Sequence, residues 1–390
     1  MKDINIGTSS SYQKYGDRLD TVLIEINKGS KLSGLFTTNN LKAAPVEICS
    51  KNILSNNKTK KYLVINAGNA NAATGRKGLK DCNQINAFLS KEFDCKESQF
   101  LPFSTGVIGE RLNLTKFKNA LIEAKKNLGK SNWNNFAEAI LTTDTKLKLI
   151  KKTISLGSNK INIFAVAKGS AMLHPNMATL LSFVFTDLEI NSKELKRLHK
   201  LACDQSLNAI SVDGDLSTND SSLLVATGNS GIRFSDNKEI LEKEIIKIFK
   251  DLAKKLMQDA EGSSKLVTIR IKGLKSSLQC KKMARHIANS LLLKTAFNGS
   301  DPNWGRILMA ACNLEDIDVN PNDIDLKIGS HRVFMKGELS KAYSESKGLK
   351  EFKKKNIFIE LNFGTYPHFF EILTCDISSD YVKMNSDYRS

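Results

Sequence analysis

Segments with strand periodicity and segments with helix periodicity alternate along this chain, and that alternation limits the folds it can adopt. Strand side chains alternate between two faces, whereas the buried face of a helix recurs every three or four residues. The pattern predicts strands at residues 21–26, 61–66, 164–167, 266–271, 357–362 and 369–376, and helices at 115–128, 193–202, 238–259 and 281–293. We therefore expect an α+β fold in which helices and sheets stack in layers.

The net charge of +17 is the unusual part of the composition. Such a surplus raises nucleic acid, membrane surfaces and acidic small molecules as partners. Only 10 of the 58 basic residues are arginine, the residue that base and phosphate recognition favours. The lysines are scattered in short runs such as Lys60–Lys61 and Lys151–Lys152, which we interpret mainly as solvated surface. Aromatic residues make up only 7% of the chain, and no stripe of them accompanies the charge, so we expect no nucleic-acid partner.

The seven cysteines predict a reducing compartment. They form no C-x-x-C pair and have no zinc-finger spacing to a histidine, which is typical of reduced thiols in the cytoplasm. The first residues lack the apolar run of a signal peptide, and no apolar stretch approaches the roughly 20 residues of a membrane span. We expect a cytoplasmic protein of two or three domains, at about 150 residues per domain, or of one large two-lobed unit, with no membrane partner.

Several common catalytic signatures are missing. The sequence contains no G-x-x-x-x-G-K-[ST] phosphate loop, no dinucleotide-binding G-x-G-x-x-G, no H-E-x-x-H and no G-x-S-x-G. Its five histidines are scattered, and no pair has the spacing of metal ligands on a helix. We expect neither a metal nor a resident cofactor.

Five segments are instead dense in Gly, Asn, Thr, Ser and Asp. They are residues 66–75 (NAGNANAATG), 104–109 (STGVIG), 142–145 (TTDT), 212–222 (VDGDLSTNDSS) and 298–306 (NGSDPNWGR). Each of them alone is compatible with ordinary turns. Together they offer the amide and hydroxyl groups that suit a pocket for a polar small molecule.

A sixth segment, residues 168–186 (KGSAMLHPNMATLLSFVFT), carries the most specific pattern. Lys168 and a Gly-Ser turn lead to His174-Pro175-Asn176, and Thr179 then enters an apolar run. From the residues alone, the pattern favours Thr179 as a β-branched strand residue and Lys168 as a surface charge.

This segment resembles the hallmark of the ornithine acetyltransferase (glutamate N-acetyltransferase, ArgJ) family, K-G-x-G-M-x-x-P-x-M-A-T-[ML]-L. The resemblance spans almost the whole chain in the family's order. It includes FTTN at 36–39, APV at 44–46, the polar segments above, DAEGSSK at 259–265, KTAFNGSDPNWGRI at 294–307 and the C-terminal N-S-x-Y-x-S. It implies the layered α/β architecture of the ArgJ and DmpA-like self-processing enzymes.

The resemblance also implies that the chain cuts itself. The hydroxyl of Thr179 attacks the carbonyl of Ala178, which gives an α chain of residues 1–178 and a β chain of residues 179–390, assembled as two of each. A hydroxyl is a poor nucleophile without a base, and the freed α-amine, with a reference pKa of about 8, is suited to take its proton.

Acetyl transfer is the activity implied. Thr179 takes the acetyl group from N-acetylornithine and releases ornithine, after which glutamate collects the group as N-acetylglutamate. The family's oxyanion hole maps onto Thr105 and Gly106. Whether acetyl-CoA also serves as acetyl donor is left open by the sequence.

The family's substrate-binding positions carry over to six residues: Thr142, Lys168, Thr179, Glu261, Asn385 and Ser390. Both substrates are amino acids with α-carboxylates, so Lys168 is the expected anion anchor and Glu261 the expected partner of an ammonium group.

Two departures from the family pattern and two alternatives accompany this interpretation. Ala171 stands where the family often has glycine, and it would be strained if that position needs a positive φ. The segment around Glu261 also varies the family's D-G-E-G-A-[ST]-K.

A related N-terminal-nucleophile amidase or aminopeptidase would pass the acyl group to water, and a basic nucleic-acid-binding protein is a more remote alternative.

Overall fold

The computed structural model describes residues 1, 3–54, 58–173 and 180–387. It contains both helices and β-sheets, which confirms the predicted α+β class. The described chain divides into two compact units. The first comprises Met1–Asn208 and Asp215–Leu256, and the second comprises Ala209–Gly214 with the described residues from Met257 on.

The strands of the first unit form two sheets, and those of the second form one. The strands are β1 (Ile4–Ser9), β2 (Thr21–Ile26), β3 (Lys31–Phe36), β4 (Lys61–Asn69), β5 (Phe100–Val107), β6 (Lys148–Leu156), β7 (Asn159–Lys168), β8 (Leu181–Thr186), β9 (Ile210–Ser211), β10 (Ser221–Ala226), β11 (Leu266–Gly273), β12 (Asp325–Ile328), β13 (His331–Met335), β14 (Glu338–Leu339), β15 (Asn356–Asn362) and β16 (Tyr366–Cys375).

The helices cover these sheets or cap their ends. They are α1 (Ala44–Asn52), α2 (Gly75–Glu92), α3 (Leu114–Lys126), α4 (Trp133–Ala139), α5 (Ser192–Asp204), α6 (Lys238–Met257), α7 (Ser277–Ala288), α8 (Leu291–Asn298), α9 (Trp304–Cys312), α10 (Glu345–Phe352) and α11 (Ser379–Asp387). None of the helices in the described ranges combines the length and the apolar character needed to cross a bilayer.

In the first unit two sheets pack face to face. One has the strand order β1-β2-β4-β5, and the other has the order β3-β10-β8-β7-β6. Their inner faces share one apolar core, in which the rings of Phe103 on β5 and Phe183 on β8 meet edge to face at 5.1 Å. Strands buried on both faces need apolar residues at consecutive positions, which explains the run LSFVFT of β8.

Helices cover the outer faces of these sheets. Apolar residues of α2 and α3 pack on the first sheet together with Tyr62 and Phe100. The buried face of α5 lies against the second sheet, where His199 contacts Phe249 of α6. The first unit is therefore built in four layers, two of helices around two of strands.

Strand β8 is the central strand of the second sheet, and the register of its neighbours matters for the site. Leu181 pairs with Lys168 of antiparallel β7 and with Ser221 of parallel β10. The end of β7 and the start of β10 therefore lie on either side of the start of β8.

The second unit contains a seven-stranded sheet with the order β14-β13-β12-β15-β11-β16-β9. Its core is formed by β11, β12, β15 and β16 with α7, α8 and α9. Helix α11 follows this sheet and ends the described chain.

Two sequence expectations are wrong. The single helix predicted at 281–293 is two helices, because Ser290 accepts a hydrogen bond from the N–H of Leu293 and so begins a new helix. Lys61, interpreted as surface, is buried, and its ammonium donates to the carbonyls of Asn52 (3.2 Å) and Ser98 (3.1 Å).

Candidate active site

Lys168 ends strand β7 with its side chain buried among hydroxyl groups. Its Nζ donates to Thr142 Oγ1 at 2.8 Å and to Thr105 Oγ1 at 3.3 Å. Only 3% of the residue is exposed. The structure thus brings together three of the residues that the sequence assigned to the site, from β5, from the loop after α4 and from β7.

Asp144 organises this cluster. Its Oδ1 accepts from Lys148 Nζ (2.5 Å) and from the Gly169 N–H (2.7 Å), and its Oδ2 accepts from the Thr142 N–H (3.2 Å). The ammonium of Lys168 lies 3.6 Å from the same Oδ2. One carboxylate therefore fixes the backbone beside two predicted site residues and contacts two buried ammonium groups.

The two lysines determine the protonation state of Asp144. Burial alone would raise the pKa of Asp144, but Lys168, Lys148 and the hydrogen bonds outweigh it and lower the pKa to about 2. Asp144 is therefore ionised at neutral pH, facing two lysines. Lys168 is thus a buried ammonium with hydroxyl neighbours, a group that can bind an anion.

Thr105 and Gly106 lie where β5 runs beside β4. Gly106 pairs with Gly68 across the two parallel strands. A Cβ atom on Gly106 would overlap the carbonyl carbon of Gly68, and Gly106 has a φ of 132°. Only glycine permits this close approach, which fixes the direction of the backbone after Thr105.

Asn219 joins the loop before β10 to the ends of β4 and β5. Its buried amide donates to the carbonyls of Ala70 (2.6 Å) and Ser104 (2.9 Å). Ser104 in turn donates to the Asn66 side chain at 2.5 Å. Buried hydrogen bonds thus connect the polar segment 212–222 to the polar segments 66–75 and 104–109.

The next residue, Asp220, binds the beginning of β8. Its Oδ1 accepts from the Leu180 N–H at 2.8 Å, and the Leu180 carbonyl accepts from the Ser221 N–H at 3.0 Å. Both Leu180 and Asp220 are buried. Leu180, which follows Thr179 in the sequence, is therefore fixed through both its N–H and its carbonyl group.

Glu261 and Asn385 lie in the second unit and contact each other. Asn385 Nδ2 donates to Glu261 Oε2 at 3.0 Å. The adjacent Gly262 has a φ of 61°, and a Cβ there would overlap the backbone of Tyr381 on α11. Glycine at this turn thus lets α11 come close enough for Asn385 to reach Glu261.

Three predicted residues lie outside the described residues: Ala178, Thr179 and Ser390. Ala171 is described, and the left-handed backbone of its turn falls on Met172, one residue later, with a φ of 54°. The strain expected at Ala171 is therefore not present. Among the described residues, no group of His, Cys, Asp and Glu is arranged to hold a metal ion.

Four residues of the site were not predicted from the sequence: Asp144, Lys148, Asn219 and Asp220. Asp144, Asn219 and Asp220 belong to the polar segments identified there, and that membership was the available signal. Lys148 had no such signal, because its neighbours in the sequence include the exposed Lys146 and Lys151.

Known proteins match this chain over nearly its whole length. The family model described as ArgJ family matches residues 5–390. The arginine biosynthesis bifunctional protein ArgJ of Methylococcus capsulatus is 35% identical over 395 residues, which cover 99% of this chain and 95% of that protein.

Solved structures match it as well. The crystal structure of the arginine biosynthesis bifunctional protein ArgJ from Bacillus halodurans is 30% identical with a TM-score of 0.51, and the match covers 53% of this chain and 99% of that one. Ornithine acetyltransferase from Mycobacterium tuberculosis, solved in complex with ornithine, matches 46% of this chain and 92% of its own at 23% identity, with a TM-score of 0.36. On the family model and the 35% identity, this chain belongs to the ArgJ family.

Proposed function

We propose that this protein is a self-processing acetyltransferase of arginine biosynthesis, which moves the acetyl group of N-acetylornithine to glutamate through an acetyl-threonine intermediate on Thr179. Family membership supports the reaction class. The observation that carries the proposal is the buried cluster of Lys168, Thr142 and Thr105 at the end of β7, where the segment leading to Thr179 begins.

The first reaction is cleavage of the Ala178–Thr179 bond. The Thr179 hydroxyl attacks the Ala178 carbonyl, the C–N bond breaks, and the nitrogen of Thr179 takes up the hydroxyl proton. Water then hydrolyses the resulting ester, which leaves a carboxylate on Ala178 and frees both the hydroxyl and the α-amine of Thr179.

The second reaction is acetyl transfer in two steps. The freed amine takes the hydroxyl proton while Thr179 Oγ1 attacks the acetyl carbonyl, and the proton passes to the leaving nitrogen of ornithine. The amine of glutamate then attacks the acetyl-threonine ester, which restores the hydroxyl and releases N-acetylglutamate.

Each of these steps passes through an oxyanion that needs fixed donors. We assign this role to Thr105 and Gly106, since the close approach of β4 and β5 fixes their backbone before any substrate binds. A preorganised donor of this kind is worth about 3 kcal/mol in the transition state.

Two charged groups match the charges of the substrates. Lys168 is a buried ammonium beside the hydroxyls of Thr105 and Thr142, which suits an α-carboxylate. Thr142, held through its N–H by Asp144, adds a hydroxyl. We assign the carboxylate of Glu261, already oriented by Asn385, to an ammonium group of the substrate. Ser390 completes the set by resemblance.

The test is Thr179→Ala. We expect this variant to stay a single chain of 390 residues and to transfer no acetyl group, whereas wild type gives chains of 178 and 212 residues. Intact mass spectrometry and an assay with N-acetylornithine and glutamate measure the two outcomes. Thr153→Ala is a matched control, because Thr153 is an exposed residue of β6 in the same unit.

The same assay separates the alternatives. Release of acetate without N-acetylglutamate would indicate an amidase that passes the group to water. Replacing N-acetylornithine with acetyl-CoA tests for the second activity, synthesis of N-acetylglutamate from acetyl-CoA. Two chains in the Thr179→Ala variant would contradict the assignment of the nucleophile.

A further inference from the structure

Asp376 directly follows β16 and connects three elements of the second unit. Its Oδ1 accepts hydrogen bonds from the N–H groups of Ser264 and Lys265, each at 2.8 Å. Its Oδ2 accepts from Ser264 Oγ at 2.7 Å and from Asn298 Nδ2 at 2.8 Å. Only 2% of the residue is exposed. One buried carboxyl group thus joins the end of β16 to the residues that lead into β11 and to the last residue of α8.

The residues that Asp376 binds continue a tight turn that carries Glu261. The Ser263 N–H donates to the Ala260 carbonyl at 3.1 Å, which closes a β-turn with Glu261 at its second position. Gly262, at the third position, has a positive φ, which glycine adopts without strain. The Glu261 side chain is therefore placed by a short turn whose downstream end is bound to Asp376.

The segment after β16 also binds the middle of this turn and the Glu261 side chain. Ser378 Oγ, two residues beyond Asp376, donates to the Gly262 carbonyl. Helix α11 follows directly, and its Asn385 donates to the Glu261 carboxylate at 3.0 Å. One stretch of chain therefore fixes the turn at its end, at its middle and at the carboxylate that it carries.

The position of the Glu261 carboxylate decides how well it can select an acetyl donor. The α-nitrogen of N-acetylornithine is acylated, so the ammonium group of this molecule is the one on its side chain. Attraction between a carboxylate and an ammonium is strongest at hydrogen-bond distance, about 2.7–2.9 Å. A misplacement of about 1 Å can cost a factor of about 100 in rate. Any loosening of the turn therefore weakens selection of this ammonium.

Building on the proposed function, we propose that Asp376 is a positioning residue for donor selection: it fixes the turn that carries Glu261, and the Glu261 carboxylate then favours acetyl donors with a positively charged side chain. In this role Asp376 acts through Glu261 and does not touch the substrate. The N–H of the buried Lys265 needs an acceptor, because a buried donor without a partner is costly. Without the Asp376 carboxyl group the turn has to move to find another acceptor, and Glu261 moves with it.

Two variants and one control test this role. Asp376→Asn has nearly the same shape but a single side-chain oxygen, so it cannot accept on both sides as Asp376 does. Ser264→Ala removes only the bond from Ser264 Oγ, and it is a mild change because Ser264 is exposed. The matched control is Glu360→Gln, since Glu360 is a buried acidic residue of the same sheet that contacts Lys272 (2.9 Å) and Lys327 (3.3 Å) instead of the turn.

The measurement compares N-acetylornithine with N-acetylnorvaline, which has the same carbon chain without the ammonium. Selectivity is the ratio of the two kcat/KM values with glutamate as acceptor, and it does not depend on the amount of folded enzyme, because both values come from one preparation. We expect wild type and Glu360→Gln to prefer N-acetylornithine equally. Asp376→Asn should lose about tenfold of this preference and Ser264→Ala about threefold, through a lower value for N-acetylornithine. In a Glu261→Gln background, which lacks the charge, Asp376→Asn should change the preference no further.

The outcomes that overturn the proposal are distinct. Wild-type selectivity in Asp376→Asn overturns the role of Asp376, and if that variant does not fold, wild-type selectivity in Ser264→Ala does so. The same loss in Glu360→Gln, or a further loss in the Glu261→Gln background, shows that Asp376 does not act through Glu261 and overturns its role as well. A wild type that uses both donors equally overturns the assignment of Glu261, and one that transfers from neither donor overturns the proposed function, on which the role of Asp376 rests.

Discussion

Asp144 shows how a single residue can decide whether a group of site residues is in place. It contacts Lys148 and Lys168, and it binds the N–H groups of Thr142 and Gly169. Removing one partner of a buried ionic cluster costs about 3–5 kcal/mol, because the remaining charges stay buried and lose its compensation.

Asp144→Asn removes the carboxylate that contacts both Lys168 and Lys148. The KM for N-acetylornithine should rise by about tenfold or more, because the amide no longer fixes the ammonium assigned to the substrate carboxylate. Steady-state kinetics measures the KM, and thermal unfolding reports the accompanying loss of stability.

Lys148→Met is the informative companion to that variant. This variant removes the ion pair between Asp144 and Lys148 but keeps the contact between Asp144 and Lys168. We therefore expect it to lose stability with a smaller increase in KM than Asp144→Asn shows. Equal increases of KM in both variants would mean that Asp144 acts on stability and not through Lys168.

The site residues also show what a sequence can reveal at this scale. Lys168, Thr105 and Thr142 could be selected because short motifs mark them, and they do converge in space. Burial of a lysine depends on distant contacts, and local composition does not report these. Lys148 and Lys61 therefore had the appearance of surface residues.

At the scale of elements, helix α5 carries a buried polar connection into the second sheet. His199 Nε2 lies 2.8 Å from Ser222 Oγ on β10, and its Nδ1 lies 3.0 Å from Ser33 Oγ on β3. Ser222 also accepts from Ser182 on the central strand β8 at 2.7 Å. One imidazole thus links a covering helix to three adjacent strands.

This connection predicts a dependence of stability on pH. Burial lowers the pKa of His199 to about 3, whereas an unfolded imidazole titrates at about 6.5. Between these values the unfolded chain binds a proton that the folded chain does not, so the free energy of unfolding falls as the pH falls from 6.5 towards 3. Each unit of difference corresponds to about 1.4 kcal/mol.

His199→Gln tests this directly, since glutamine can hydrogen-bond but does not titrate. We expect the variant to be less stable than wild type at pH 8 and to lose less stability between pH 6.5 and pH 5. Urea unfolding across that range gives both slopes, and parallel slopes would show that His199 is not the group responsible.

The elements themselves were the most predictable part of the fold. Periodicity identified β2, β11 and α3 within a few residues, since each has a single apolar face or a short apolar run bounded by polar residues. It failed between α7 and α8, where both helices are apolar on the side facing the core and the cap at Ser290 lies inside a continuous pattern.

At the scale of the molecule, the predicted cut and the compact units divide the chain differently. The cut separates residues 1–178 from 179–390, whereas the first unit takes strands from both sides of that bond. Sequence periodicity predicted six of the described strands and none of their partners, because pairing between distant segments is decided by tertiary packing. The order β3-β10-β8-β7-β6 could not have been derived from the pattern alone.

This arrangement predicts that cleavage does not release either chain. Strands β3, β6 and β7 precede the bond and β8 and β10 follow it, yet β8 pairs with β7 over six residue pairs and β10 pairs with β3 over another six. The apolar core between the two sheets also takes residues from both products, including Phe103 and Phe183. Separating the chains would expose that core and break two strand ladders of the second sheet.

The 178- and 212-residue chains should therefore co-elute in size exclusion at neutral pH and separate only in denaturant. The uncut Thr179→Ala variant is the matched control, and its urea midpoint should lie above that of the cut protein, because an intact chain loses less entropy when these strands pair. Elution of either product alone from native buffer would show that the two sheets do not hold the cut protein together.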